Sequence, residues 1–209
     1  LLLRTMFNTR KCKRYGRDAM AFEVNWAPLL VRMMRELRQR TFRILNNYAF
    51  LVSVPKWREI FATEFVGRIA EHLLCDVLSP WIEQTLHSRT FNNRKGMGGQ
   101  AAINRVIDDI FEASNGYTET AWIIKWDLLG FFPNADCDYM ESCFVNVIDK
   151  FSDKIAERYD EYMSSFLKWL SMITIHCRPA KHCELRTPKH LWTEHIIPEK
   201  SIMNNPDGI

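Results

Sequence analysis

Between residues 19 and 42, Phe22, Trp26, Leu29, Leu30, Met33, Met34 and Leu37 recur at steps of three and four. That period is the period of a helical turn, so it predicts an amphipathic helix with one face against a core. Its outer face carries Arg32, Arg35, Arg38 and Arg40. A second stretch, 65–86, repeats the pattern in Phe65, Ile69, Leu73, Leu74, Val77 and Leu78 and is expected to break at Pro80. The chain between them is of another kind. Residues 48–54 are aromatic and β-branched, Pro55 interrupts, and 58–62 resume, which predicts two strands joined by a basic turn at Lys56-Trp57-Arg58. Helices around one short hairpin predict an α+β chain, helix-rich with a small antiparallel sheet.

The apolar share, 47% of 209 residues, is enough to bury a core. No apolar run approaches the roughly 20 residues that cross a bilayer, so no membrane span is expected. Leu1-Leu2-Leu3 leads into basic residues instead of a cleavage site, and a cytoplasmic location is the expectation. Cys12, Cys75, Cys137, Cys143, Cys177 and Cys183 are scattered, so reduced thiols are expected. The first residue is not Met and the last are Asn204-Asn205-Pro206-Asp207-Gly208-Ile209, which reads as a piece of a longer protein. Net charge is only +3, yet residues 1–105 carry 18 Lys and Arg against 8 acids, and residues 106–209 carry 10 against 17. Such polarity would draw a polyanion to one half and leave carboxylates for metal ions on the other. Residues 4–17 hold six cations and no acid, which suits an arm along phosphates.

Further along, the segment from Arg89 to Gly99 includes Asn93-Arg94-Lys95-Gly96 and precedes a helix expected from about Gln100 to Ala113. Glycines admit close approach of a ligand, and a helix N-terminus favours anions, although such a loop alone is a weak signal. Trp122-Ile123-Ile124-Lys125-Trp126 is expected to be a short strand ending on Asp127, placing a carboxylate where it can reach a divalent metal. Asp136 is expected to cap a helix through Val147, and residues 151–175 to form a long helix. From Arg178 onward there is little periodicity.

Lys125-Trp-Asp127-Leu-Leu-Gly-Phe-Phe132-Pro resembles the first palm motif of reverse transcriptases. In order before it stand Lys56-Trp-Arg58-Glu-Ile60, Phe65-Val-Gly-Arg68-Ile-Ala-Glu-His72, Leu78-Ser-Pro80 and Arg94-Lys-Gly96. Order and spacing resemble the fingers-to-palm segment of bacterial enzymes of the retron, group II intron and diversity-generating retroelement type, over about residues 15 to 140. Asp207-Gly208-Ile209 echoes the entry to the next palm motif.

The resemblance implies fingers over 1–115 and, over 116–209, a partial palm with a helical insertion, both belonging to a right-hand RNA-directed DNA polymerase. It implies two Mg2+ ions, with Asp127 bridging them and the Leu128 carbonyl as a further ligand. Lys56, Arg58 and Arg68 would hold the incoming dNTP, and Phe132 would close off the sugar's 2′ side. Asn93, Arg94, Lys95 and Gly96 would contact the template. The partners implied are an RNA template, a DNA primer and an accessory retroelement protein. Gly98-Gly99-Gln100 departs from the usual wording of the family. Family enzymes also carry a later aspartate pair that these 209 residues lack, so the chain alone is expected to be inactive. Asp108-Asp109 is not that pair, since it precedes Asp127 on an expected helix.

Two other readings compete. One is a catalytically dead polymerase-like domain that binds RNA or assists assembly. The other is an ordinary α+β nucleic-acid-binding domain, with Asp127 buried in a salt bridge or facing away from Lys56 and Arg58. His176-Cys177 and His182-Cys183, with His190 and His195 beyond, supply zinc-type ligands, but paired doublets are not the usual knuckle and no zinc site is expected.

Overall fold

A computed structural model describes residues 1–11, 15–128, 131, 134–177, 183–196 and 201. They form nine helices and a small three-stranded sheet, a helix-rich α+β fold. The chain divides into two compact units, Leu1–Ser79 with Gly130–Ile209, and Pro80–Leu129.

The first unit is built on the hairpin. Strand β1 (Asn47–Val52) pairs antiparallel with β2 (Arg58–Thr63), running from Asn47 opposite Thr63 to Val52 opposite Arg58. The sheet is mixed, not purely antiparallel. Strand β3 (Cys183–Leu185) lies parallel to β1 on its other edge, Asn47 opposite Cys183, giving the order β2-β1-β3. A parallel neighbour needs a long crossover, and more than a hundred residues lie between the two strands. The pairing continues past β3, where Arg186 N donates to Ala49 O at 2.8 Å and Leu51 N donates to Thr187 Oγ1 at 2.9 Å. Three residues are too few for alternation to reveal such a strand in sequence.

The predicted helix over 19–42 is two helices, α2 (Arg17–Val24) and α3 (Trp26–Arg38), which meet at Asn25. Pro28 explains the break: its ring would clash with the Val24 carbonyl in a continuous helix, whereas a first turn tolerates it. Ahead of them residues 2–10 are helical, α1 (Leu2–Arg10), in place of a free arm. Thr5, Met6 and Thr9 are buried, Thr5 Oγ1 donates to Asp76 Oδ2 at 2.8 Å, and Arg10 forks onto Glu23 of α2.

Helix α4 (Phe65–Ile82) supplies most of the core, with Phe65, Ile69, Leu73, Leu74, Val77 and Leu78 all buried as the period requires. Phe22 of α2 packs on Phe65 with ring centroids 5.1 Å apart. The helix passes Pro80 and stops two residues later, so the hydrogen bond that Pro80 cannot donate is lost where the helix is already ending. Gly67 is a close approach: a Cβ there would stand 3.1 Å from both Ile44 Cγ2 and Thr63 Cβ, so the start of α4 lies tight against the chain entering β1 and leaving β2.

Asp136 caps α6 (Cys137–Lys150), accepting from the backbone N–H of Asp138 and of Tyr139. The expected long helix over 151–175 is split into α7 (Ser152–Arg158) and α8 (Met163–Ile175). Asp160 Oδ1 accepts from Tyr162 N at 2.9 Å, a turn that competes with helix between them. Ile148, Ile155, Leu167 and Leu170 are fully buried. Helix α9 (Lys189–His195) places Trp192 against Phe61 of β2, ring centroids 6.4 Å apart.

The second unit has a different character. After the last residues of α4 comes a loop and then α5 (Gly99–Ala113), none of whose residues is buried. Its start and end agree with the sequence expectation. Gly116, at φ 70°, donates its N–H to Phe111 O at 2.9 Å and closes the helix in the left-handed manner that glycine favours. No helix among the described residues is long and apolar enough to cross a membrane.

Candidate functional site

Asp127 lies in residues 120–128, which are neither helix nor strand, so the expected strand is absent. A strand requires a neighbour for its N–H and C=O groups, and apolar alternation alone does not supply one. Trp122 and Trp126 are 90% and 88% exposed, and Ile123, Ile124 and Leu128 are exposed as well. Asp127 is exposed and makes no hydrogen bond or ion pair with any described residue. Of the two placements an ordinary domain would give Asp127, the buried, salt-bridged one is not seen among the described residues. Phe132 and His182 lie outside the described residues.

Lys56 and Arg58 stand at the tip of the β1–β2 hairpin, exposed, and neither forms an ion pair with a described residue. Between them Trp57 is occupied: its ring stacks on His195 of α9 at 4.0 Å and 5° between planes. The aromatic that could have stacked on a base is thus pinned, while the cations on either side project freely.

Arg68 is differently placed. Its Nε donates to Thr63 O at 2.8 Å, and its Nη2 bonds the Tyr48 hydroxyl and Asp18 Oδ2, the last at 3.2 Å. The ion pair is largely enclosed, each side chain being 14% exposed. Arg68 sits beside Thr63, the far end of β2 from Arg58, and five strand residues separate those ends by about 17 Å. Three cations that sequence order grouped together are therefore one exposed pair and one arginine committed to joining β1, β2 and α2.

In the second unit Arg94 is also committed. It pairs with Glu83 at 2.8 Å and donates to the carbonyls of His87 and Thr90, so it organises the loop ahead of α5. Asn93 and Gly96 adopt positive φ, 55° and 76°, and turn the chain on either side of Arg94 and Lys95. Lys95 is exposed and unpaired among the described residues. Asp109 belongs to α5, where it pairs with Arg89 at 3.0 Å and Arg105 at 2.9 Å.

A cavity of about 420 Å³ in the first unit, not anticipated from sequence, is bordered by Thr63, Arg68 and Glu71 on one side and Met140, Thr174 and Cys177 on another. Burial pushes the Cys177 thiol up; a hydrogen bond from Asn47 opposes this and Glu71 adds to it. Burial likewise raises Cys183, so both stay protonated near neutral pH and are poor nucleophiles. His176 instead bridges to α6, 2.7 Å from Glu141 and 3.7 Å from Asp138. Among the described residues no three His, Cys, Asp or Glu side chains converge on a metal position.

The fold and site together define a helix-rich α+β chain with a cation-tipped hairpin and, in a separate unit, an exposed carboxylate on an apolar segment. No protein-family model matches the chain, and no curated protein sequence matches it.

Proposed function

We propose that this chain is the fingers and first palm segment of an RNA-directed DNA polymerase that copies an RNA template onto a DNA primer from dNTPs. The observation that carries the reading is the state of three charged side chains. Lys56, Arg58 and Asp127, three of the residues to which the motif resemblance assigns chemistry, are exposed and unpaired among the described residues. Uncompensated groups of this kind are available to a ligand; Arg89 and Asp109, which satisfy each other, are not.

On this reading Lys56 and Arg58 hold the triphosphate, Arg58 through the paired N–H groups that suit phosphate oxygens. Arg68 would have to leave Asp18 to join them and acts first by fixing the base of the hairpin. Asp127 and the Leu128 carbonyl are hard oxygen donors of the kind Mg2+ takes, and both residues are exposed. Two such ions, when bound, stabilise the attacking 3′-oxygen and the departing pyrophosphate. One carboxylate does not complete a two-ion site, so catalysis needs the aspartate pair that the family carries and these residues do not contain. Lys95 and the turn at Gly96 would meet the template, with Arg94 shaping the loop.

A specific observation favours a second reading, a catalytically inert module of the same family: Arg68 and Arg94, two of the proposed ligand cations, are used internally. Primer extension on an RNA template by the full-length protein separates the two. The polymerase reading expects extension that Asp127→Asn lowers by about two orders of magnitude or more, with template affinity nearly unchanged. Extension that survives the substitution removes Asp127 from catalysis. Absence of extension by the unsubstituted protein, with RNA binding intact, leaves the inert module.

A further inference from the structure

We infer that the outer face of α3 and the loop after it form a second RNA-docking surface, separate from the hairpin tip. From Val24 to Arg58 the sequence holds seven cations, Arg32, Arg35, Arg38, Arg40, Arg43, Lys56 and Arg58, and a single acid, Glu36. Five of the seven are arginines within residues 32–43, and none there is a lysine.

Helix geometry separates these arginines from the core. Leu30, Met33 and Leu37 are buried on one side of α3. At 100° per residue Arg35 points opposite to that stripe, Arg38 and Arg32 flank it, and all three are exposed. Glu36 is used by Arg32 at 2.7 Å. Arg40 donates to Ser165 Oγ at 2.6 Å, a neutral partner that leaves its charge uncompensated. Arg35, Arg38 and Arg43 have no ion-pair partner among the described residues. The result is a run of exposed positive charge to which its own segment adds one carboxylate, Glu36, while Glu141 of α6, which borders a cavity with Arg43, is engaged by His176; the guanidinium fork matches phosphate oxygens.

Position distinguishes this ridge from the proposed dNTP site. Arg40 and Arg43 lie in the connection that enters β1 at Asn47, whereas Lys56 and Arg58 lie at its other end, Arg58 opposite Val52, about 17 Å along a six-residue strand. One triphosphate cannot span that distance, but a nucleic-acid backbone can. The choice of RNA over another polyanion rests on the polymerase reading; the existence of a polyanion surface does not.

The test uses the 209-residue chain and a labelled RNA hairpin of about 12 base pairs with a single-stranded tail, a duplex about twice the length of one strand of the sheet. Affinity is measured across a salt series for the unsubstituted chain and for the triple variant Arg35→Gln, Arg38→Gln, Arg43→Gln. The expected result is affinity at least about tenfold weaker in the variant, and a slope of log K against log salt shallower by about two. An unchanged melting curve establishes that the variant is folded, and single Arg35→Gln and Arg38→Gln variants with intermediate slopes support the surface independently. Unchanged affinity and slope in the triple variant overturn it. Tighter binding of a polyglutamate of equal charge than of the RNA at the same ionic strength also overturns it, by making the face a protein-docking one. Failure of primer extension with the RNA result intact defeats the polymerase reading alone.

Discussion

Helices α3 and α5 carry the same kind of message in sequence and meet opposite fates. Both are amphipathic, and both lie in stretches expected to be helical. In the first unit α3 turns its apolar stripe inward, burying Leu30, Met33 and Leu37, and shows arginines to solvent. In the second unit α5 holds Asp109 to Arg89 and leaves Ile103, Val106, Ile107 and Phe111 exposed, with no residue buried. Periodicity predicts that a helix will have an apolar face, not that a partner for it exists within the same unit. The apolar residues 122–128 repeat the lesson for a strand: composition favours extension, yet no described neighbour pairs with it.

The contrast can be broken most directly by truncating each apolar stripe. Met33→Ala, at a buried position of α3, should destabilise the chain by about 2–5 kcal/mol in denaturant titration, through lost burial and a residual cavity. Ile107→Ala in α5 should cost less than about 1 kcal/mol, because about half of the residue is already in water. Equal losses would mean that the two units do not differ in this way. An effect between these two is expected from Asp18→Asn: removing the carboxylate leaves Arg68 enclosed without its counter-charge and should cost about 1–3 kcal/mol. Gly67→Ala sharpens the packing comparison further, and a loss of about 1 kcal/mol is expected from the 3.1 Å approaches to Ile44 and Thr63, against no steric loss at the open Gly98.

The smallest effect concerns thiol chemistry. Because burial raises the Cys177 pKa, its thiolate fraction at pH 8 is reduced, and alkylation there should be slower than at exposed Cys143 and accelerate as pH rises. The sign for stability follows: the contribution of the buried neutral thiol is complete below its unfolded pKa and lost as pH climbs through the raised folded one. Faster labelling of Cys177 than of Cys143 in the native chain would contradict its placement.

How much could be read beforehand depended on whether the signal was local. The hairpin around Lys56-Trp57-Arg58, the Asp136 cap and the limits of α5 were legible, because turn residues, caps and helical period act within a few residues. The breaks at Asn25 and at 159–162 were missed although Pro28 and Asp160 were there to be read, since the apolar period ran straight across both. Grouping Arg68 with Lys56 and Arg58 failed for another reason. Sequence order cannot say that a strand's length will separate them or that Asp18 will claim one.

By itself the sequence determined the helix-rich α+β class, the cation-tipped hairpin, and the motif order that makes Asp127 the residue to test. Tertiary structure alone decided that β3 joins β1 in parallel, that Trp57 stacks on His195, and which arginines keep their charge free. The physical reason is range. Backbone geometry and capping are settled between near neighbours, whereas pairing, burial and charge compensation depend on groups that only folding brings within a few ångströms.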